Sequence, residues 1–518
     1  MQGWTDDLAV TRTSLPVAAL MGLCLLIGSC SSGSSTAGPS RRRRPSSTSS
    51  RAIPKPTSTL TPPVAPITWH GCEAGECGSV SVLVDRAAPK GGRIDLAVAR
   101  ASRAKSDQRI GSLLVNPGGP GASGLDIVGY IASNLPKAIT DRFDVVAWDP
   151  RGSGTSAPVS CGNDLDGRFA VDTAPDDPAE LTALEAAAKQ FVDACVQRTG
   201  ERLRHISTVD TVADLDDLRV ALDDDRLTYL GLSYGTYIGG LYATTYPTHV
   251  RALVLDGALD PTLSAEDVSV QQAKGFDDSL NEFFAWCRSR TTCAFHHAGD
   301  PARAYDALAQ RIDARPIGRG ATRFGPTQLD IAVAALLYGG ESGYRELASG
   351  LHDLEAGSSA TLATASDQYL GRNQDGRYDD EWAAFIAISC ADGPNLTLAA
   401  AEALQRRAAI EAPHFGAGNV GLGYECSFWP YPPARTGPVA FSAPTAPPIV
   451  VVGTRGDPAT PIAWARGLAN QLGSGRLVAV DDTTHTASLN GNSCLDAILV
   501  RYLVNLQAPK TGTSCPHG

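Results

Sequence analysis

A pentapeptide, Gly-Leu-Ser-Tyr-Gly at 231–235, constrains the fold of this chain more than any other feature. It follows the apolar run 227–230 and precedes a helical pattern over 236–246, which predicts a tight turn from a strand into a helix. Such a turn leaves no room for side chains at the two glycines and lifts the serine above the edge of the sheet. The N-terminus of the helix then lies under any negative charge that develops there. The pattern predicts Ser233 as a nucleophile.

A serine is a weak nucleophile until a base accepts its proton, so a histidine and an orienting acid are required. Where a strand–serine–helix turn of this kind is used, the chain order is serine, acid, histidine. His485 follows the apolar run 477–480 by a short loop, which is where the base belongs. His517 lies in the terminal tail, a poor place for a preorganised base. We therefore expect His485 to be the general base.

The orienting acid is expected just after the strand that precedes the base. The apolar run 449–452 leads into Gly-Thr-Arg-Gly-Asp-Pro, which places Asp457 at that position. Asp481 and Asp482 are closer to the base in sequence, but they follow the wrong strand and are interpreted as solvated turn residues. We therefore expect Asp457 to hold and orient the imidazole of His485.

The loop Asn-Pro-Gly-Gly-Pro-Gly at 116–121 follows the early apolar run 113–115. An oxyanion hole combines the backbone N–H of the residue after the nucleophile with an N–H from such a loop. We therefore expect donors from Tyr234 and Gly119, with Gly118 as a neighbour. No Gly-Lys-Ser or Gly-Lys-Thr follows the loop, so a phosphate-binding loop is not indicated.

From about residue 78 the chain alternates short apolar runs with longer helical patterns, which is typical of a mostly parallel sheet covered by helices. The segment 208–222 is one predicted helix. The strand signals stop between 261 and 447, a mostly helical stretch that we interpret as a cap inserted into the sheet. The fold class is therefore α/β, an α/β-hydrolase fold. Its core is formed by two parts of the chain, 67–260 and 448–518, which the cap separates in sequence. The predicted strands are 80–84, 96–99, 113–115, 145–148, 228–232, 252–255, 449–452 and 477–480.

The N-terminal region reads as an export signal. The apolar stretch 15–27 has the length of a signal-peptide core, and it ends in Leu-Ile-Gly-Ser-Cys, which resembles a lipobox. Segment 1–30 is thus interpreted as a lipoprotein signal with Cys30 lipidated, the alternative being an ordinary signal peptide. Segment 31–66, rich in Ser, Thr and Pro, is expected to be a disordered tether. Its arginine run at 41–44 is either solvated linker or a contact for anionic lipid.

Twelve cysteines occur, and removing Cys24 and Cys30 with the leader leaves an even number. In an exported chain this favours disulfides, whereas the spacing lacks the Cys-x2-Cys and histidine ligands of a zinc site. No metal is expected. Sequence does not prove connectivity, but the cysteines fall into near neighbours: Cys72 with Cys77, Cys161 with Cys195, Cys287 with Cys293, Cys390 with Cys426, and Cys494 with Cys515.

The net charge and the apolar runs of the chain limit which partners it can bind. A net charge of −11 and a pI near 5.3 argue against a nucleic-acid binder, which would show a basic footprint. Beyond the N-terminus no apolar run approaches the roughly 20 residues that span a bilayer. Membrane attachment is therefore expected only through the lipid at Cys30. Sequence does not fix the oligomeric state, and a monomer is expected.

Taken together, the motifs resemble the secreted tripeptidyl aminopeptidases of actinobacteria, a group related to the proline iminopeptidases. It includes cell-envelope serine proteases of mycobacteria that are predicted lipoproteins. The resemblance runs from about Trp69 to Cys515, and its late part matches a TAP-like C-terminal segment. The matching motifs are Asn-Pro-Gly-Gly-Pro-Gly-Ala-Ser-Gly at 116–124, Asp-Pro-Arg-Gly at 149–152, and those at 231–235, 272–276, 426–430, 457–461 and 484–486.

The resemblance implies a serine exopeptidase that releases di- or tripeptides from peptide N-termini, without a cofactor. Such an enzyme must recognise a free ammonium group, so cap acids are expected near the triad, with Glu381, Asp392 and Glu425 as candidates. Two alternatives remain: a carboxylesterase or lipase with the same triad, taking a small ester, and a binding protein on a hydrolase scaffold. Scattered acids in the cap favour a peptidase over a lipase, and an intact triad argues against a binding protein.

Overall fold

The computed structural model describes residues 64–318, 323–435 and 437–518. The predicted leader 1–30, its Cys30 and nearly all of the tether 31–66 lie outside these residues. Within the described residues, no helix is both long enough and apolar enough to cross a membrane.

The strands form one sheet in the order β1-β2-β3-β5-β4-β6-β7-β8-β9-β10. The pairs from β1 to β3 and the pair β3–β5 are antiparallel, and the remaining pairs are parallel. The bounds are β1 His70–Cys72, β2 Gly75–Leu83, β3 Arg93–Ser102, β4 Gly111–Asn116, β5 Phe143–Trp148, β6 Leu227–Leu232, β7 Val250–Asp256, β8 Ile449–Thr454, β9 Gly475–Val480 and β10 Thr513–Cys515.

Helices cover both faces of the sheet and form the cap. Within the described residues they are α1 Gly124–Asn134, α2 Lys137–Thr140, α3 Asp166–Phe169, α4 Pro178–Thr199, α5 Thr208–Ala221, α6 Tyr234–Thr245, α7 Ala265–Arg288, α8 Pro301–Ala314, α9 Pro326–Leu337, α10 Glu341–Glu355, α11 Ala360–Tyr369, α12 Glu381–Asp392, α13 Leu398–Glu411, α14 Gly416–Gly421, α15 Ile462–Leu472 and α16 Ser493–Asn505. Short 3-10 helices occur at Gly200–His205, Pro247–His249, His297–Gly299 and Tyr424–Phe428.

The central strands are buried along their whole length. Every residue of β4, β5, β6 and β8 is buried, as expected for parallel strands covered on both faces. On one face, α1 and α16 pack on the sheet through Val128, Ile131 and Leu499. On the other face, the core contributed by α5, α6 and α15 continues without a break into the cap. The carboxyl ends of the parallel strands lie beside the cap, since a Cβ on Gly340 of the cap would lie 2.6 Å from the hydroxyl of Thr483, in the loop after β9.

The α/β-hydrolase fold and all eight predicted strands are present, each with ends shifted by a few residues at most. The edge strands β1 and β10 were not predicted, because three residues carry too short a pattern. The predicted helix 208–222 is α5, and helices α7 to α14 lie within the predicted cap segment 261–447. Helix α4 precedes that segment in sequence, yet Leu184 and Ala188 belong to one hydrophobic cluster with residues of α7 and α13, so α4 is part of the cap layer.

The cysteines within the described residues form five disulfides in the predicted pairing. Cys390–Cys426 ties the end of α12 to the 3-10 helix Tyr424–Phe428, and Cys161–Cys195 ties α4 to the loop that follows β5. Both bridges cross-link segments of the helical layer that are distant in sequence, and such links restrict the unfolded chain.

Candidate active site

Ser233 occupies the turn between β6 and α6 in a strained conformation. Its φ of 53° and ψ of −123° lie outside the regions that residues with a side chain normally adopt. The flanking glycines permit this turn, because a Cβ on Gly231 would lie 2.4 Å from the carbonyl oxygen of Gly235. The backbone N–H of Ser233 donates to the carbonyl of Asp256, the last residue of β7, at 2.8 Å. Strain of this kind is found at functional sites, where the surrounding structure holds it in place.

Asp457 and His485 form a buried pair at the ends of β8 and β9. The Nδ1 of His485 lies 2.9 Å and 3.0 Å from the two carboxylate oxygens of Asp457. The N–H groups of Ala459 and Thr460 donate to Asp457 Oδ1 at 2.9 Å and 2.8 Å, and the Thr460 hydroxyl donates to Oδ2 at 2.9 Å. These donors stabilise the ionised carboxylate and fix its orientation. An ionised Asp457 requires the proton of the imidazole to be on Nδ1, which leaves Nε2 as an acceptor.

The serine and the imidazole meet at the carboxyl end of β7. A Cβ on Gly257, the residue after this strand, would lie 3.1 Å from His485 Cε1. Its neighbour Asp256 accepts the N–H of Ser233. Ser233 Oγ and His485 Nε2 are both buried, and neither has a hydrogen-bond partner within the described part of the chain. In serine hydrolases a proton passes between two such atoms, and the distance between them is often long before substrate binds.

The glycine-rich loop after β4 lies directly against the serine turn. A Cβ on Gly118 would come within 2.9 Å of Ser233 Cβ and 3.2 Å of the Tyr234 nitrogen. The N–H of Gly118 is already donated to Asn116 Oδ1, at 3.1 Å. The N–H of Gly119 has no acceptor among the residues that the structure describes. Gly119 and Tyr234 are therefore the better candidate pair of oxyanion donors, with Gly118 as the close-packed neighbour.

The cap contacts His485 directly, which the sequence did not predict. The backbone N–H of His485 donates to the carbonyl of Tyr338, just after α9, at 3.1 Å. The rings of Tyr338 and His485 are perpendicular, with centroids 5.0 Å apart. No local pattern marks Tyr338, because its role depends on contact between distant segments. Thr460, by contrast, lies in a motif noted from sequence, although its bond to Asp457 was not anticipated.

The structure does not bring the three candidate cap acids together. Glu381 and Asp392 lie at opposite ends of α12, about 16 Å apart along its axis. Asp392 is buried and accepts the N–H of Thr208 at 2.8 Å and also its hydroxyl. Glu425 is fully buried, with Oε1 2.5 Å from Arg168 Nε. The oxygens of Asp392 and the charge of Glu425 are thus engaged within the protein, which leaves Glu381 as the candidate for a substrate cation.

Glu381 lies beside the glycine-rich loop, at the first turn of α12. A Cβ on Gly121 would lie 2.9 Å from the carbonyl oxygen of Glu381. Burial raises the pKa of Glu381 to about 8, and the nearby carboxylates of Asp379 and Asp126 add to that rise. Within the described residues Glu381 forms no ion pair. A buried carboxyl group that has no cation of its own, and lies near other carboxylates, is suited to bind a positively charged group of a ligand.

Groups of acids with the spacing of metal ligands occur elsewhere in the described residues. They are Asp172 with Glu180 and Asp313, and Asp176 with Asp177 and Glu180. Exposed acidic groups of this kind are common without an ion, and neither group includes a residue of the Ser233 site.

Comparison with known families places these features in context. Residues 111–303 match the α/β hydrolase fold family, and residues 412–515 match the TAP-like protein family. The serine protease Hip1 of Mycobacterium tuberculosis is 37% identical over 87% of this chain and 91% of its own length. Carboxylesterase B of the same organism is 36% identical over 88% and 91%. Tripeptidyl aminopeptidase of Streptomyces lividans is 29% identical over 88% and 87%. The chain therefore belongs to the α/β-hydrolase family, in the group of TAP-like serine hydrolases that includes these relatives.

Proposed function

We propose that this chain is a serine exopeptidase that releases short peptides from the N-termini of its substrates, with Ser233 as nucleophile, His485 as general base and Asp457 as orienting acid. The observation that carries the proposal is the buried Asp457–His485 pair, 2.9 Å apart, beside the strained serine turn. Relatives named serine protease and tripeptidyl aminopeptidase support the peptide substrate.

The reaction proceeds through an acyl-enzyme. Ser233 Oγ attacks the scissile carbonyl carbon while its proton passes to His485 Nε2. The C–N bond then breaks, and the imidazolium returns that proton to the leaving amine. In the second half, His485 accepts a proton from water, whose oxygen attacks the acyl carbon, and the proton is returned to Ser233 as the N-terminal fragment leaves. Asp457 stabilises the imidazolium in both halves, and the N–H groups of Gly119 and Tyr234 receive the oxyanion.

The position of Glu381 supports recognition of a substrate ammonium group. Gly118 lies against Ser233, and three residues later Gly121 lies against the main-chain carbonyl of Glu381, at the first turn of α12. Three extended residues span at most about 10 Å, for this loop and for a substrate peptide alike. A substrate whose scissile bond lies at Ser233 can therefore place its N-terminus beside the first turn of α12 after about two or three residues.

Replacing Glu381 with Gln is expected to raise the KM of a free-amine tripeptide anilide about tenfold, because a charge-assisted hydrogen bond is lost. The N-acetylated twin lacks the ammonium group, so its KM should not change. Asp380→Asn is the matched control, since Asp380 is the neighbouring acid but already interacts with a cation of the protein, Arg198. Equal losses on both peptides in steady-state kinetics would rule out this role for Glu381.

The same contact predicts a pH dependence. Because the pKa of Glu381 is about 8, its carboxyl group is mostly neutral at pH 6 and becomes charged as the pH rises towards 8. The α-ammonium of the peptide loses its proton at about pH 8. The ratio of kcat/KM for the free-amine peptide to that for its acetylated twin should therefore peak near pH 8. In Glu381→Gln this ratio should only fall with pH, and an unchanged peak would contradict the assignment.

A carboxylesterase is the second candidate function, favoured by the 36% identity to carboxylesterase B. The same triad cleaves esters with little change, so fold and triad do not separate the two activities. Under this alternative a short acyl ester would be cleaved faster than any peptide, and acetylation of a peptide amine would have no effect.

We further propose that the protein is exported and anchored by lipid at Cys30, with 31–66 as the tether. Five disulfides support an oxidising compartment. In an actinobacterial host, Cys30→Ala is expected to move the protein out of the membrane fraction, whereas Cys24→Ala should not. Mass spectrometry of the wild-type N-terminus should find a lipid-modified Cys30. A mature chain that begins elsewhere, without lipid, would contradict the anchor.

A further inference from the structure

Asp256, the last residue of β7, contacts both the serine turn and the loop that carries the base. Its carbonyl accepts the N–H of Ser233 at 2.8 Å. Its carboxylate oxygen Oδ2 accepts the N–H of Ala487 at 2.9 Å and that of Ser488 at 2.7 Å. One fully buried residue thus connects the turn of the nucleophile to the segment immediately after His485.

The segment after His485 is held in an unfavourable conformation. Thr486 is β-branched and has a φ of +64°, a left-handed conformation that such residues rarely adopt. The hydroxyl of Thr484 and the amide of Asn490 both donate to the carbonyl of Thr486, at 3.0 Å. Asp256 fixes the next two residues from the opposite side. Strain of this kind persists only where the surroundings determine the backbone, and Asp256 supplies two of the determining bonds.

This conformation sets the position of the imidazole. A Cβ on Gly257 would lie 2.9 Å from Thr486 Cγ2 and 3.1 Å from His485 Cε1. Gly257, the residue after β7, therefore lies against the imidazole ring and the Thr486 side chain. Release of the loop from Asp256 would let the ring move away from Ser233.

The carboxyl group of Asp256 carries a free-energy cost, which the hydrogen bonds that it accepts offset. Within the described residues no salt bridge includes Asp256, and the residue is fully buried. Burial raises the pKa of this group, which reflects the unfavourable free energy of an ionised carboxylate there. An apolar side chain would avoid this desolvation but would leave the N–H groups of Ala487 and Ser488 without their acceptor.

We propose that Asp256 is a positioning residue, which holds His485 Nε2 towards Ser233 Oγ by accepting the N–H groups of Ala487 and Ser488. The inference rests on the proposed function. It assigns the effect to the acceptor oxygen rather than to the negative charge, so an asparagine, whose amide oxygen accepts both bonds, fulfils the same role.

The experiment compares Asp256→Asn with Asp256→Ala and Asp256→Leu in the full mature protein. Active sites are titrated with a fluorophosphonate probe, and kcat per titrated site and KM are measured on a tripeptide anilide. Asp256→Leu keeps a branched side chain but has no acceptor, and its measured Tm shows whether it folds. Asp144→Ala is the matched control, because it removes another buried carboxylate, at the opposite end of β5 from the site.

We expect Asp256→Ala and Asp256→Leu to lower kcat per titrated site about 100-fold with KM within threefold, since a small misplacement of a reacting group has an effect of this size. Asp256→Asn should stay within fivefold of the wild type, and Asp144→Ala should lower Tm without changing kcat per site. A purely structural role would change Tm and the titrated fraction but not this kcat.

Two results would overturn the inference: a kcat of Asp256→Leu within threefold of the wild type, or an Asp256→Asn as impaired as Asp256→Leu. Ser233→Ala separates the inference from the function on which it rests. If Ser233→Ala retains turnover, the proposed function fails. If Ser233→Ala is inactive and Asp256→Leu resembles the wild type, only the positioning role fails.

Discussion

Ser233→Ala is expected to lower kcat by about 10⁶, with KM and Tm little changed. The acyl-enzyme cannot form without Oγ, and the activity that remains comes from the oxyanion donors and from substrate binding alone. The substitution is small, and Ser233 Oγ has no hydrogen-bond partner within the described residues, so no contact that stabilises the fold is lost. Single-turnover and steady-state kinetics on a peptide anilide measure the effect.

The matched control for this variant is Ser474→Ala. Ser474 is another buried serine whose Oγ lacks a partner in the described part of the chain, and it lies at the opposite end of the sheet, before β9. Its activity should equal that of the wild type. Turnover within tenfold of the wild type in Ser233→Ala would show that another group is the nucleophile.

The second large effect is expected for Asp457→Asn, with kcat lowered about 10⁴-fold at neutral pH. Asp457 Oδ1 accepts the N–H groups of Ala459 and Thr460, so the amide oxygen of an asparagine must take this position. The NH2 group then replaces Oδ2, which lies 3.0 Å from Nδ1 of His485, and the charged partner of the imidazolium is lost. An NH2 group that donates to Nδ1 also selects the tautomer with the proton on Nε2, which cannot accept the proton of Ser233.

Asp481→Asn is the control for Asp457→Asn, since Asp481 also precedes His485 in sequence but is not paired with it in the structure. We expect its kcat to match that of the wild type. Measurement of Tm for both variants separates loss of function from loss of fold. A loss below tenfold in Asp457→Asn would show that the imidazole is oriented by a different group.

The local parts of the site could be predicted from sequence because each follows a short, regular signal. Ser233, Asp457 and His485 each come just after an apolar run that forms a strand in the parallel part of the sheet, and parallel strands bring their carboxyl ends to one edge. The glycine-rich loop after β4 obeys the same rule. Strands β1 and β10 were not predicted, because an alternation of apolar and polar residues cannot be recognised in only three residues.

The remaining parts depend on contacts between distant segments. Glu425 is paired with Arg168, 257 residues away, and no periodicity reveals such a pair. Tyr338 reaches His485 only after the cap has folded onto the sheet. Asp256 did carry a signal, as an acid that directly ends an apolar strand beside the nucleophile strand. A role for this acid becomes clear only from the structure, in which its carboxylate accepts the N–H groups of Ala487 and Ser488 in the loop after His485.

The most direct test of the proposed function is a comparison of kcat/KM on three substrates with the purified protein: a free-amine tripeptide anilide, its N-acetylated twin and a short acyl ester. We predict that the free-amine peptide is cleaved at least tenfold more efficiently than its acetylated twin, because the role proposed for Glu381 is to bind the ammonium group. Indifference to acetylation, together with faster cleavage of the ester, would contradict the exopeptidase and favour the esterase.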